Sequence, residues 1–122
     1  MTQPSYQKLR GGYYTPQPIA DFLASWAIRT STDEVLEPSC GDGNILVSAA
    51  QRLLGQGASA EILNRQLHGV ELDPREAAKA TRRLAALGVP LASDNTIYIG
   101  DFFTHCQQHL FGESVLTLVL KE

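Results

Sequence analysis

Between Glu34 and Asn44 a short apolar run closes on an acid and passes directly into a glycine loop. The residues are Glu34-Val35-Leu36-Glu37, then Pro38-Ser39-Cys40-Gly41-Asp42-Gly43-Asn44. Ile45, Leu46, Ala49 and Leu53 follow at helical spacing, with Gly55 and Gly57 just beyond. The loop therefore joins a strand to a helix. Glycines in such a turn let a ligand approach backbone where a Cβ would obstruct it, although a Gly-x-Gly taken alone is equally well a tight turn. A dinucleotide fingerprint places a third glycine at position 46, where this chain has Leu46. Glu37 at the strand end would also oppose a pyrophosphate, whereas it suits a ligand carrying an ammonium group. The loop argues against a nicotinamide dinucleotide.

The same alternation continues downstream. Leu67-His68-Gly69-Val70-Glu71-Leu72 reads as a second strand, and Asp73-Pro74 as an N-cap followed by a proline at the first helical position. That helix runs through Ala77, Thr81, Leu84 and Ala85, with Gly88 as its stop. Thr96-Ile97-Tyr98-Ile99 is a third strand leading to Gly100-Asp101-Phe102-Phe103 and a short helix; Val115–Leu120 is a fourth strand. Upstream, Thr15-Pro16 reads as a helix start with the threonine hydroxyl placed to cap. Ile19, Phe22, Leu23 and Trp26 then give the i, i+3, i+4, i+7 stripe of a helix burying that face. Strands alternating with helices predict an α/β fold with a parallel sheet and right-handed crossovers, whose ligands bind at the carboxyl ends of the strands.

Composition narrows the class. At 122 residues and 13.3 kDa the chain is one small domain, and no linker or repeat divides it. Ten basic against 13 acidic residues give net −3, which lacks the basic footprint of a self-sufficient nucleic-acid binder. Cys40 and Cys106 make neither a disulfide framework nor a zinc site. Val115–Leu120 is too short to span a bilayer, and the polar start is unlike a signal peptide. A cytoplasmic, soluble domain is expected, with no membrane association.

Each strand end carries an acid. Glu71 can accept two hydrogen bonds from vicinal ribose hydroxyls; its bland alternative is a solvated acid beside the next helix, a part that Asp73 fills better as N-cap. Asp101 can accept from an exocyclic amine while Phe102 meets an adenine, although a surface Asp beside a core Phe is the ordinary reading of that pair. The coincidence of Glu37, Glu71 and Asp101 along one edge describes a pocket for a nucleoside bearing an amino group.

Tyr14-Thr15-Pro16, Val35-Leu36-Glu37-Pro38-Ser39-Cys40-Gly41-Asp42-Gly43, Gly69-Val70-Glu71-Leu72-Asp73-Pro74 and Gly100-Asp101-Phe102-Phe103 together resemble the successive S-adenosylmethionine-binding motifs of adenine-N6 DNA methyltransferases of restriction-modification type. The resemblance runs from Gly12 to Phe103. It implies a Rossmann-like class I methyltransferase fold, truncated, with a mostly parallel sheet of order 3-2-1-4 and an N-terminal helix. Residues 1–12 would be a flexible segment and 13–122 an incomplete S-adenosylmethionine-binding part. By the same resemblance Thr15 contacts the methionine carboxylate. Glu37, Pro38, Cys40, Gly41 and Gly43 hold the amino-acid part, with Cys40 a small loop residue rather than a nucleophile. Glu71 holds the ribose, and Asp101 with Phe102 the adenine. His68, His105 and His109 match no functional position and are read as surface or strand-edge residues.

The family performs its chemistry with an Asn/Asp-Pro-Pro-Tyr/Phe segment after the fourth strand, which accepts from the target amine and stacks on a flipped adenine. No such segment occurs in these 122 residues. The resemblance thus implies cofactor binding, with methyl transfer to DNA belonging to a longer enzyme or to a partner chain, and with little grip on DNA by this chain alone. A fragment of a protein-glutamine or RNA methyltransferase, and a non-catalytic nucleotide-binding module, stay open as alternatives. On the order 3-2-1-4 the apolar strand Val115–Leu120 lies at an edge, which predicts self-association or a partner strand.

Overall fold

The computed structural model describes residues 15–90 and 96–106, and the backbone of Thr117–Val119. Residues 1–12, His109 and the expected strand positions Val115, Leu116 and Leu120 lie outside the described residues. In chain order the elements are α1 (Gln17–Ala27), β1 (Glu34–Glu37), α2 (Asn44–Gly55), a 3-10 turn (Ala60–Ile62), α3 (Leu63–Gln66), β2 (Leu67–Glu71), α4 (Pro74–Ala86), β3 (Ile97–Ile99), α5 (Phe102–His105) and β4 (Thr117–Val119).

The four strands are parallel and ordered β3-β2-β1-β4, as expected. Val35 pairs with Leu67 and Glu37 with Gly69; Gly69 in turn pairs with Ile97 and Glu71 with Ile99. This register brings the ends of β1, β2 and β3 to one rim. One sheet face, through Val35 and Leu67, joins a core with Leu46, Ala49 and Leu53 of α2 and Ala80 and Leu84 of α4. Leu36 and Val70 alternate to the other face and are buried as well, which is the two-sided burial of a parallel sheet. A fully buried leucine such as Leu53 contributes about 2 kcal/mol relative to exposure.

Local chemistry sets the helix ends. Asp73 caps α4, its Oδ1 accepting from the Arg75 amide at 2.9 Å, with Pro74 at the first position. Past the other end Gly88 (φ 93°) allows the Val89 amide to reach back to the Leu84 carbonyl at 3.2 Å, a Schellman closure. The segment 58–66 folds as the 3-10 turn and α3, which no periodicity announces.

Two expectations for α1 need correction. Its N-cap is Pro16 rather than Thr15, and the Pro16 carbonyl accepts from the amides of Ile19 and Ala20 at 3.0 and 2.9 Å. Pro18 sits in the first turn, where its missing N–H costs nothing. The buried face also differs from the expected stripe. Ile19, Phe22 and Trp26 are 52%, 67% and 62% exposed, and Leu23 alone of the four packs against the core, beside buried Ala20, Ala24 and Ile28. Polar contacts with α2 accompany this choice, through its buried Ser48. The Ser48 hydroxyl donates to Asp21 Oδ1 at 2.6 Å, and the Gln17 amide donates to both, so polar atoms fix the register. Those bonds, from Ser48 first and then Gln17, hold the Asp21 carboxyl below its ordinary pKa.

Candidate functional site

The glycine loop turns from β1 into α2 through two left-handed residues, Gly41 (φ 55°) and Gly43 (φ 94°). Gly43 has a second constraint: a Cβ built there would lie 2.9 Å from the Ala80 Cβ of α4. Any side chain at position 43 would push α4 off the loop.

Glu71 organises the rim. It is 2% exposed, its Oε1 accepts from the Gly41 amide at 2.9 Å, and its Oε2 accepts from the Asp73 amide at 2.8 Å. Its own carbonyl accepts from the Gly100 amide at 2.9 Å. One residue therefore ties together the glycine loop, the start of α4 and the segment leaving β3. A carboxylate accepts only, and here both of its oxygens are engaged by backbone amides. Glu37 is equally buried, at 1% exposure, with Oε1 accepting from the Ser39 amide at 3.0 Å. Pro38 lies between them, half-buried in the turn.

Cys40 points into the core, not toward the rim. It is buried, its amide donates to the Val70 carbonyl at 2.9 Å, and its sulfur and Leu46 occupy the space beside Gly69 that a side chain there would need. It acts as a small packing residue. Asp101 behaves differently from the other two acids: it is exposed and caps α5, with Oδ2 accepting from the Thr104 amide at 2.9 Å and hydroxyl at 3.0 Å. Those bonds, the backbone one first, lower its pKa. Phe102 is half-buried and meets Phe103 edge-on at 5.9 Å, while Phe103 is 75% exposed. Of the histidines, His68 is part-exposed on β2, but His105 is buried against Tyr98, with ring centroids 5.0 Å apart. The surface assignment of His105 is therefore corrected, because α5 folds that side chain onto the sheet.

The structure thus bonds Gly41, Glu71 and Asp73 into one cluster, with Glu37 at the end of the adjacent strand, Gly43 two residues along the loop, and Asp101 and Phe102 following Gly100, whose amide bonds the Glu71 carbonyl. Thr15 reaches the cluster through its carbonyl, which accepts from Asn44 Nδ2 at 2.7 Å. Three neighbours went unremarked in the sequence. Leu72, next to Glu71, is 67% exposed, an apolar surface at the rim whose signal was a large hydrophobe between a strand-end acid and an N-cap. Asn44 and Arg83 bind the loop's flank, and their contacts span 29 to 41 residues, beyond any local pattern.

The family model for N-6 DNA Methylase matches residues 2–114. The chain belongs to that family. It is 32% identical over 105 residues to the Type II methyltransferase M.BanIII of Aneurinibacillus aneurinilyticus, covering 79% of this chain and 17% of the relative. Among solved structures it is similar to an RNA methyltransferase from Salinibacter ruber in complex with S-adenosyl-L-homocysteine. That match has a TM-score of 0.55 at 29% identity, over 75% of this chain and 52% of that one. The M protein of the Type I restriction enzyme EcoKI shares the fold, with a TM-score of 0.59 at 20% identity over 72% of this chain and 20% of that one. The architecture is accordingly a partial Rossmann-like methyltransferase fold. The chain spans less than a fifth of the length of the curated relatives it matches. Among the described residues no helix is long and apolar enough to cross a membrane.

Proposed function

We propose that this chain is the S-adenosylmethionine-binding region of a site-specific, cytoplasmic DNA adenine-N6 methyltransferase. The observation that carries the reading is the bonded cluster of Gly41, Glu71 and Asp73 at the carboxyl ends of the strands, in a chain of the N-6 DNA Methylase family. The cluster fits the cofactor. Gly41 and Gly43 present bare backbone, Glu37 offers a carboxylate suited to the amino group, and Thr15 stands by for the carboxylate end. Glu71 stands at the end of β2, where the resemblance puts the ribose, and Asp101, Phe102 and Leu72 offer an acceptor and apolar surface to the base. When bound, the cofactor supplies an electrophilic methyl group. The chain's own residues bind and orient it.

Residues 13–122 form this incomplete domain. Without an Asn/Asp-Pro-Pro-Tyr/Phe segment the chain does not transfer the methyl group by itself, and it grips DNA weakly given its net charge of −3. β4 stands at the end of the strand order, the edge that a partner strand would join. RNA is the second reading for the methyl acceptor, favoured by the likeness to the Salinibacter enzyme; the family model favours DNA.

Calorimetric titration of S-adenosylhomocysteine into the chain tests the site. Saturable binding, weakened in Glu71→Gln and absent with NAD, is expected. A chain folded by circular dichroism that takes up none would overturn the reading.

A further inference from the structure

A three-member chain of polar contacts lies along the flank of the glycine loop, outside the Glu71 cluster. Arg83 of α4 directs one nitrogen, Nη1, at the Asp42 carbonyl (3.1 Å) and at Asn44 Oδ1 (2.6 Å), with the Asp42 carboxylate 3.5 Å away. Asn44, the first residue of α2, uses the other end of its amide: Nδ2 donates to the Thr15 carbonyl at 2.7 Å. Thr15 immediately precedes the N-cap of α1. We propose that Arg83 and Asn44 are positioning residues that lock the glycine loop and the Thr15 segment into one register, and so shape the subsite for the amino-acid end of the cofactor. The proposal rests on the cofactor reading above.

The residue types are the ones this task requires. The Thr15 carbonyl needs a donor and the Arg83 guanidinium needs an acceptor, and a short side chain offering both on one rigid plane is an amide. The guanidinium charge on Oδ1 polarises that amide, which strengthens the Nδ2 bond beyond that of an isolated asparagine. Arg83 is 35% exposed and Asp42 25%, so the clamp is partly desolvated. A purely structural tie would affect any ligand equally. This one joins Thr15 to the loop at Asp42 and Asn44, while Asp101 is held within its own turn and Glu71 meets the loop at the Gly41 amide and α4 at the Asp73 amide.

Two probes separate the ends of the ligand: S-adenosylhomocysteine, which carries the amino-acid moiety, and 5′-methylthioadenosine, which keeps the nucleoside and sulfur without it. Asn44→Asp is the decisive variant. It keeps an acceptor for Arg83 and adds a favourable charge at a helix start, so thermal stability is maintained, yet it turns a carboxylate oxygen toward the Thr15 carbonyl. Calorimetry on the 122-residue chain should show S-adenosylhomocysteine weakened about tenfold and methylthioadenosine changed by less than about twofold. Arg83→Gln should shift the ratio the same way, and Arg83→Lys should restore part of it. Should Asn44→Asp fail to fold, the two Arg83 variants decide the question by the same ratio. Parallel weakening of both ligands, or no change in either, overturns the relay while wild-type binding keeps the cofactor reading intact. Wild-type chain that is folded and binds neither probe overturns both.

Discussion

Glu71 and Asp101 stand at the ends of neighbouring strands, and the sequence gives them parallel parts to play. The fold holds them in opposite ways. Glu71 is buried at the sheet's centre and bonded to amides 30 and 2 residues away, so it joins segments. Asp101 is exposed at the end of the outer strand and bonded within its own turn, so it caps. An acid at the central strand ends is therefore part of the framework of the pocket. An acid at the end of the outer strand, bonded only within its own turn, can be used by a ligand with effects confined to that turn. The contrast extends across the molecule, with the loop and α4 on the wired side and the outer face of α1 on the unwired side.

The sharpest way to break this contrast is to remove the central carboxylate. Glu71→Ala leaves the Gly41 and Asp73 amides without their acceptor in a largely buried place. Bonds to a charged group are each worth about 1.5–3 kcal/mol, so a loss of about 3–5 kcal/mol is expected in urea denaturation. Asp101→Ala should cost far less in the same assay. Equal losses would dissolve the distinction.

Gly43 tests the wired side from its backbone. An alanine there meets both a left-handed φ and the Ala80 Cβ at 2.9 Å. The conformation costs about 1–2 kcal/mol and the overlap a comparable amount, so Gly43→Ala should lose about 2–3 kcal/mol. In a double-mutant cycle with Ala80→Gly, about 1 kcal/mol of coupling should appear from the relieved overlap. Absence of coupling would mean that the loop and α4 do not in fact press on each other. On the unwired side Trp26→Lys replaces a large apolar side chain, yet at 62% exposure the stability change should stay within about 0.5 kcal/mol. A loss above about 2 kcal/mol in the same denaturation would show that the outer face of α1 is covered.

Why the sheet was legible and the face of α1 was not follows from the same residues. The loop from Glu37 to Gly43, the Asp73-Pro74 cap and Gly88 are local signals, each settled by the backbone chemistry of a few neighbours, and the strand order followed from the resemblance. Glu37 and Glu71 stand at strand ends, as the sequence pattern puts them. In α1, however, apolar residues at 19, 20, 22, 23, 24, 26 and 27 surround most of the helix, so periodicity offers two candidate faces. The face that was buried is the one beside the Gln17 and Asp21 bonds to Ser48, which span 31 and 27 residues. The segment 58–66 was silent for a similar reason: the Gln66 amide donates to the carbonyls of Ser31 at 2.7 Å and Asp33 at 3.1 Å, an anchor written in neither sequence neighbourhood.

The smallest effect concerns the pH response of Asp101. The Thr104 amide, and after it the Thr104 hydroxyl, favour the ionised carboxyl, so its folded pKa lies below the usual 3.8. A depressed folded value means that the cap contributes stability fully above the unfolded pKa and loses it as pH falls through the folded one. The window therefore opens below about pH 4. Because Asp101 is exposed, the consequence is local: the first turn of α5 should loosen on acidification. Amide chemical shifts recorded by NMR from pH 6 to pH 2 should show Thr104 titrating with a midpoint below 3.8, and Asp101→Asn should abolish that titration. If the Gly41 amide moved together with Thr104, at the same midpoint and in the same variant, the inner and outer strand ends would be one coupled unit, and the division between an acid that joins segments and one that caps its own turn would have to be given up.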